Sequence, residues 1–310
     1  MTSHESEVRR GTGYGAAAYL MWGIFPLYFP LLAPAGAVEI LLHRVVWSLL
    51  VCLLVLLVLR AWRPVLQVAR SPRSLGLLAV GAAVIAVNWG VYIYGVNSGQ
   101  VVQASLGYFI NPVVTVLLGV LVLRETLRPG QWTAVGIGVL AVAVLTVDYG
   151  GLPWIALTLA CSFALYGLVK NRVGRGVGAL TSLTVETAVL APLALGVLLW
   201  LEGSARGTLS TEGVGHGLLL ASTGVVTAVP LLFFAAAARR VPLTTIGLLQ
   251  YLAPVLQFLC GVVVFKEAMP TSRWIGFSLV WLALVVLTAD TLRNSTRARR
   301  LARSAESVAT

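Results

Sequence analysis

Long apolar runs, each about the length of a membrane-spanning helix, follow one another along most of the chain. A bilayer-spanning helix needs about 20 mostly apolar residues, and short gaps rich in charge, proline or glycine separate the runs here. The pattern predicts ten helices, at residues 13–32, 34–59, 74–96, 100–123, 130–147, 153–169, 179–201, 214–238, 242–265 and 272–292. Little remains for a soluble domain, so the pattern predicts an all-α polytopic membrane protein.

Composition and charge support this prediction. The chain is 58% hydrophobic and 11% charged, with a mean hydropathy of +0.91, whereas a soluble domain is about 25% charged. With a cytoplasmic N-terminus, 18 of the 22 basic residues lie in cytoplasmic segments, Arg44 lies inside a span, and Arg206, Lys266 and Arg273 lie opposite. The positive-inside rule therefore predicts a cell-membrane protein with both termini cytoplasmic. The net charge of +11 is explained by topology, so we expect no nucleic-acid partner.

The second half of the chain repeats the first. A shift of 142 residues places Pro112, Gly119, Glu125, Trp132 and Asp148 on Pro254, Gly261, Glu267, Trp274 and Asp290. Allowing for a longer loop, Glu39 corresponds to Glu186. The repeat predicts a cytoplasmic segment 1–12, a first five-helix repeat 13–148, a second 149–292 and a basic tail 293–310. Because five is odd, the second repeat must be inverted in the membrane, as in secondary transporters.

Several polar motifs occur in the same order as in a known family. They are Glu39-x-x-x-His43-Arg44-x-x-Trp47-Ser48, Asn88-Trp89, the run from Ser105 to Pro112, and the run from Ser162 to Gly167. Over about residues 13–292 the chain resembles the EamA transporters of the drug/metabolite transporter superfamily. The resemblance implies an inner-membrane permease built from two inverted five-helix EamA repeats. It implies no particular substrate.

Three ionisable residues lie within six positions of the second predicted helix. With Pro34 at the first helical position, Glu39 lies roughly 8 Å and Arg44 roughly 15 Å along the axis, near mid-membrane. His43 shares a face with Glu39. An ionisable side chain at the bilayer centre costs at least about 2.5 kcal/mol, so the cluster needs an explanation. A neutral Glu39–Arg44 pair or an arginine that extends to the surface would be structural, whereas we favour a substrate- or proton-binding cluster.

Glu186, in the seventh predicted helix, has no basic residue within a turn or two along the sequence. Burial disfavours the ionised form of a carboxyl group, which suits a group that binds and releases protons. The alternative is a structural pair with Arg44 or with another helix. Other polar residues predicted to line a solute cavity are Asn88, Tyr92, Tyr108, Asn111, Gln250 and Tyr251. Each amide could instead form an interhelical hydrogen bond.

The favoured function is a secondary active transporter that exports a small organic solute, driven by proton entry. A membrane-embedded enzyme or sensory module using Glu39, His43 and Arg44 is the alternative, and a channel is less favoured because no filter motif is visible. The three histidines form no metal motif and there is no phosphate-binding loop, so we expect no metal, cofactor or ATP. Gly11-x-x-x-Gly15 straddles the membrane edge and is poor evidence for dimerisation, so a homodimer is left open without support from this motif. The three cysteines are interpreted as core packing. The charged pairs Arg124-Glu125 and Lys266-Glu267 are interpreted as solvated helix ends.

Overall fold

The protein is a bundle of long helices joined by short turns. The computed structural model describes residues 3–124, 126–174 and 176–309, and it describes the backbone alone at 3–5, 123, 243, 244 and 295–309, so the predicted roles of Glu125 and Arg175 lie outside it. The α-helices are α1 Ser3–Gly23, α2 Phe25–Tyr28, α3 Ala37–Leu59, α4 Trp62–Ala69, α5 Pro72–Asn97, α6 Val101–Leu123, α7 Pro129–Asp148, α8 Trp154–Val173, α9 Ala179–Gly203, α10 Gly213–Ala238, α11 Leu243–Leu249, α12 Leu252–Leu259 and α13 Thr271–Ala309. A 3₁₀ helix, Phe29–Leu32, follows α2, and a π-helix, Cys260–Val264, follows α12.

The predicted spans are present. Among the described residues, nine helices are long and apolar enough to cross a bilayer. A tenth span results when Ser6–Gly23 and Phe25–Leu32, which meet at a bend of 44°, are taken together. The prediction of an all-α polytopic membrane protein is confirmed.

Three helical segments differ from the predicted boundaries. α1 begins at Ser3 instead of residue 13, and α13 continues to Ala309 through the predicted basic tail. Hydropathy detects the part of a helix that lies in the hydrocarbon, whereas helical hydrogen bonds can continue into the polar region. α4 is an additional helix in the predicted cytoplasmic gap, where Val68 is buried against Leu78 and Val185.

The start of α3 also differs from the prediction. Gly36, not Pro34, precedes the helix in an extended conformation (φ −72°, ψ 163°), and Ala37 is the first helical residue. Glu39 therefore lies in the first turn, where the positive end of the helix dipole favours a carboxylate. At about 1.5 Å per residue, Arg44 lies roughly 10 Å along the axis, so the cluster is nearer one end of the helix than the sequence suggested.

The ninth span is interrupted. α11 ends at Leu249 and α12 begins at Leu252, with Gln250 and Tyr251 between them, and a π-helix completes the span. Its repeat counterpart, α6, remains continuous through Pro112. A proline lacks the N–H that would bond the carbonyl four residues earlier, so Pro112 and Pro254 leave the Tyr108 and Gln250 carbonyls without that donor.

The chain folds as two compact units, and the first comprises Met1–Ser105 and Leu165–Glu267. In this unit α3 packs against α5, α9 and α10, while α1 packs against α10 and α12. α3 and α9 carry many of its buried polar side chains, including Glu39, His43, Arg44 and Glu186. This unit therefore holds most of the predicted site residues.

The second unit comprises Leu106–Ala164 and Ala268–Thr310, and its main feature is the pairing of α7 with α13. At one end, Arg128 Nε donates to Asp290 Oδ2 at 2.8 Å. At the other, Arg273 Nε donates to Asp148 Oδ2 at 2.8 Å. Arg128, at the start of α7, thus bonds to the middle of α13, and Arg273, at the start of α13, bonds to the end of α7. The two repeat counterparts therefore run in opposite directions, as an inverted repeat requires.

Outside the site, Cys161 and Glu267 differ from their predicted roles, and the structure gives two glycines a packing role. A Cβ on Gly11 would collide with Arg240, and one on Gly15 with Leu249, so both glycines serve packing within the chain. Cys52 and Cys260 are buried as predicted, whereas Cys161 is exposed. Glu267 is more than a solvated helix end, because its carboxylate oxygens accept from Val101 N at 2.6 Å and Val102 N at 3.0 Å.

Candidate functional site

A hydrogen-bonded chain of three side chains lies where α3 begins. Glu39 Oε1 accepts from the backbone N of Thr208 at 2.6 Å and from its hydroxyl at 2.9 Å. The same hydroxyl lies 2.7 Å from His216 Nε2 on α10. Glu39 and His216 are both buried, at 5% and 8% exposure. The buried carboxylate is therefore stabilised by the loop between α9 and α10, 169 residues further along the chain.

His43 lies one turn beyond Glu39 on the same face of α3. It is buried, and its Nε2 has no hydrogen-bond partner among the described residues. Glu39, Glu202 and His216 are close enough to act on it electrostatically. The first turns of α3 thus bring two histidines and two carboxylates into one neighbourhood.

Arg44 is surrounded by aromatic rings. Its guanidinium carbon lies 4.1 Å from the centre of the Trp89 ring, 5.7 Å from that of Phe25 and 5.9 Å from that of Phe29. Its Nε donates to Thr227 Oγ1 on α10 at 2.8 Å. Cation–π contacts of this kind are strengthened when the cation is desolvated, and Arg44 is only 5% exposed.

The structural alternative of a self-neutralised Glu39–Arg44 pair does not describe these contacts. Glu39 is bonded to Thr208, and Arg44 to Thr227 and Trp89. The two residues are five positions apart on the helix, so their side chains leave it in different directions. α3 therefore presents a carboxylate–histidine cluster on one side and a cation–aromatic cluster on another.

Two predicted residues of α5 lie close to the Arg44 cluster. Asn88 precedes Trp89 and is almost fully buried, at 1% exposure. Tyr92 packs its ring edge-on against Phe29, with 6.0 Å between ring centres. Through Phe29, Tyr92 of α5 therefore joins the aromatic surroundings of Arg44, while Asn88 is buried on the same helix.

Glu186 has a basic partner that its sequence neighbourhood did not reveal. Lys170 Nζ on α8 lies 2.7 Å from Glu186 Oε1, and Tyr166 Oη donates to Oε2 at 3.0 Å. Ser182, one turn earlier on α9, donates to Oε1 at 3.3 Å and also accepts from Lys170. The contacts match the alternative of a pair with another helix, because helix pairing brings Lys170 to Glu186 from 16 residues away.

The remaining predicted residues are placed elsewhere. Tyr108 and Asn111 belong to the second unit, where the Tyr108 ring packs edge-on against Phe163 at 5.8 Å. Asn111 Oδ1 is buried without a hydrogen-bond partner among the described residues. Gln250 and Tyr251 form the interruption of the ninth span in the first unit. The predicted residues thus form separate groups, not a single cluster.

Several residues that take part in these groups were not predicted as site residues, and five of them hold or contact a predicted residue through a polar group or an aromatic ring. These five are Trp89, Lys170, Thr208, His216 and Thr227. Lys170 follows Tyr166 by four residues, so the two share a helix face, and this spacing could have indicated a polar face on α8. Nothing in the local sequence marks Thr208 as the partner of Glu39, because their contact depends on how α3 and α10 pack.

A cavity of about 560 Å³ lies in the first unit beside these groups. Its lining includes none of the predicted site residues and consists of Pro30, Ala33, Ala35, Gly36, Ala37, Tyr94, Val96, Asn97, Ser98, Gly99 and Phe265. It is therefore a mostly apolar recess without the ionisable groups that the proposed chemistry uses.

Comparison with known proteins identifies close relatives over nearly the whole chain. The EamA-like transporter family matches twice, at residues 9–147 and 151–289. Protein RarD of Streptomyces exfoliatus is 59% identical over 95% of this chain and 93% of its own. Chloramphenicol-sensitive protein RarD of Pseudomonas aeruginosa is 31% identical over 92% of this chain and 95% of its own. A solved crystal structure shares the fold, with a TM-score of 0.58, 19% identity, and 90% of this chain and 97% of that chain covered.

Proposed function

The chain belongs to the EamA-like transporter family, and on that premise we propose that it couples proton entry to the export of a small organic solute by alternating access. It is a multi-pass membrane protein with two EamA copies. The proposal adds the coupling ion, the direction of transport and the residues that serve each. It also places both termini in the cytoplasm, because 18 of the 22 basic residues then lie on the cytoplasmic side.

The observation that carries the proton coupling is the environment of Glu186. This carboxylate is 2% exposed and is held by Lys170 at 2.7 Å, Tyr166 at 3.0 Å and Ser182 at 3.3 Å. A proton on Glu186 would remove the charge that holds Lys170, whose side chain is 30% exposed, so the ammonium could turn away from the carboxyl group toward water. Binding a proton therefore changes which arrangement of α8 and α9 is stable, which is the requirement for coupling a proton to a conformational change.

The solute would be bound by aromatic and amide groups beside a buried cation. In the first unit these are Arg44 with its surrounding rings, Asn88 and Tyr92, together with Gln250 and Tyr251 at the interruption of the ninth span. The other two predicted polar residues, Tyr108 and Asn111, belong to the second unit. Organic-molecule sites combine an apolar lining with a few polar groups in this way, and interrupted helices are typical of transporter binding sites.

The proposal is tested by proton flux that depends on solute. Purified protein in liposomes, loaded with a pH-sensitive dye, is exposed in turn to amphenicols, amino acids and nucleoside-like metabolites. We begin with chloramphenicol because the name of one relative refers to it. A transporter coupled to protons will alkalinise or acidify the lumen only when its solute is present. A matched control carries Glu212→Gln, an exposed carboxylate outside the described clusters. Solute uptake with no accompanying proton movement would refute the coupling.

A further inference from the structure

A second proton-binding site lies where α3 begins, and we propose that Thr208 relays a proton there between His216 and Glu39. The inference deepens the proposed function, on which its role in transport rests. The site is separate from the Glu186 cluster, because its members lie on α3, on the α9–α10 loop and at the start of α10. Its geometry follows from three contacts, at 2.6, 2.9 and 2.7 Å.

The number of protons fixes the direction of each hydrogen bond. A threonine hydroxyl has one proton and can accept through its lone pairs. Thr208 donates that proton to Glu39 Oε1, while its oxygen lies 2.7 Å from His216 Nε2. The proton in the hydrogen bond between His216 and Thr208 must therefore be carried by His216 Nε2, which donates it to Thr208 Oγ1. When His216 is neutral and Glu39 is ionised, the histidine is the Nε2–H tautomer.

The same three atoms can exchange a proton without any large movement. When His216 carries a proton on both ring nitrogens, its Nε2 proton passes to Thr208 Oγ1 as the hydroxyl proton passes to Glu39 Oε1. One N–H bond and one O–H bond break, and two O–H bonds form. The product is a neutral His216 protonated on Nδ1 and a neutral Glu39. The tautomer of neutral His216 thus shows whether Glu39 carries the proton. The Nε2–H tautomer accompanies an ionised Glu39, and the Nδ1–H tautomer accompanies a neutral Glu39.

A third titratable residue of the site, His43, lies on the same helix as Glu39. The titratable groups that face His43 are Glu39 on its own helix, Glu202 at the end of α9 and His216 on α10. His43 Nε2 is buried with no hydrogen-bond partner among the described residues. A proton that enters the cluster therefore has two histidines and one buried carboxylate as acceptors.

The loop that carries Thr208 is held in place by Glu202. Its carboxylate accepts from Leu209 N at 3.1 Å, Ser210 N at 3.3 Å and Ser210 Oγ at 2.5 Å. Gly207 allows this approach, because a Cβ there would collide with the Glu202 carboxylate. Thr208 is thus positioned by a rigid turn, as a relay residue requires.

The tautomer of His216 tests the proposal directly. The chain has only three histidines, so ¹⁵N-histidine labelling of the full protein in lipid gives solid-state NMR signals from three imidazole rings. The variants His43→Gln and His216→Gln assign these signals to residues. At high pH we expect His216 as the Nε2–H tautomer. Thr208→Val should abolish this preference, while Thr208→Ser should preserve it. Thr211→Val is the matched control, because among the described residues that hydroxyl bonds to two loop carbonyls, those of Gly207 and Thr208.

Two results would overturn the relay. One is a neutral wild-type His216 protonated on Nδ1 at high pH, which needs no variant and so does not depend on the folding of Thr208→Val. The other is a Thr208→Val spectrum with the wild-type tautomer. The spectra are recorded without solute or gradient, so a failed relay leaves proton coupling through Glu186 to its own test. Conversely, transport without proton coupling would refute the proposed function but not the proton relay between His216, Thr208 and Glu39.

Discussion

At the scale of single residues, each buried carboxylate of the first unit is stabilised by donors that lie far away in sequence. Glu39 is bonded by Thr208, and Glu186 by Lys170 and Tyr166. Removing a carboxylate from water is costly unless hydrogen bonds or a counter-charge replace the lost hydration. The positions of these donors therefore explain how two acidic residues are accommodated inside apolar helices.

The first prediction concerns the clusters on α3. Arg44→Ala removes the cation that stacks on Trp89, and Glu39→Gln removes the charge that Thr208 stabilises. We expect each change to reduce solute transport by about tenfold or more, since a charged hydrogen bond contributes about 1.5–3 kcal/mol. Transport into liposomes is compared with thermal unfolding of the same samples. The matched control is Arg63→Ala, which removes an exposed arginine on α4.

These variants separate a binding role from a structural one. Lost flux with a near-normal unfolding temperature supports a site on α3. Wild-type flux in both variants would remove these residues from the mechanism. A fall in stability that accounts for all the lost flux would assign them to the fold.

The sequence revealed which residues are unusual but not what they bind. Glu39, His43, Arg44 and Glu186 could be predicted because ionisable groups are costly in apolar helices. Their partners could not, because periodicity gives the face of a helix and not the helix that packs against it. The partner of Glu186 is an example: Lys170 lies one residue beyond the predicted helix 153–169, and helix pairing brings it to the carboxylate.

At the scale of helices, apolar length predicted the spans and missed their local irregularities. Hydropathy does not depend on backbone hydrogen bonds, so the interruption at Gln250 and the π-helix after it were not predicted. α4 was missed because eight residues are too few for a span. The predicted start of α3 was wrong for a similar reason. The sequence placed Pro34 at the first helical position, whereas the helix begins at Ala37, after Gly36.

The second prediction concerns Glu267, which lies shortly after the π-helix and whose carboxylate caps the start of α6. Glu267 accepts from two backbone N–H groups at the start of α6, and both residues that supply them, Val101 and Val102, are fully buried. Glu267→Ala leaves both donors unsatisfied and should lower the free energy of unfolding by about 1–2 kcal/mol. Glu267→Gln keeps one oxygen and should lose less. Thermal unfolding of the purified proteins in detergent measures the difference.

The prediction for Glu267 has one control variant and one result that would contradict it. Glu212→Gln changes an exposed carboxylate and should leave the unfolding temperature unaltered. If Glu267→Ala unfolds at the wild-type temperature, the carboxylate does not stabilise the start of α6.

At the scale of the whole molecule, the internal repeat is the feature that the sequence predicted best. The acidic residues matched by the shift of 142 residues, Asp148 and Asp290, form equivalent bonds at opposite ends of the α7–α13 pair. Arg124 and Lys266, also matched by the shift, both adopt a left-handed backbone, with φ values of 56° and 54°. Repeated positions thus have repeated conformations and contacts. The grouping of helices into two units that each draw on both halves was not visible in the sequence.

The third prediction is the orientation of the chain in the membrane. A variant without its three cysteines receives a single cysteine at Ser98, Gly150 or Ser71. With both termini cytoplasmic, cysteines at the exposed positions 98 and 150 should react with an impermeant thiol reagent outside intact cells, and one at 71 should not. Labelling of all three after the cells are permeabilised shows that each cysteine is reactive. Labelling of position 71 alone in intact cells would reverse the orientation.

The measurement that tests the central claim most directly is made on Glu186→Gln, which keeps the side-chain shape and cannot ionise. Uptake driven by a pH gradient is measured beside solute counterflow, which needs no net proton movement, in the same vesicles and with Glu212→Gln as the control. If Glu186 couples protons to transport, gradient-driven uptake should fall by about a hundredfold or more, the lower end of the range for a lost proton-transfer group, while counterflow continues. Wild-type levels of both activities in Glu186→Gln would contradict the account.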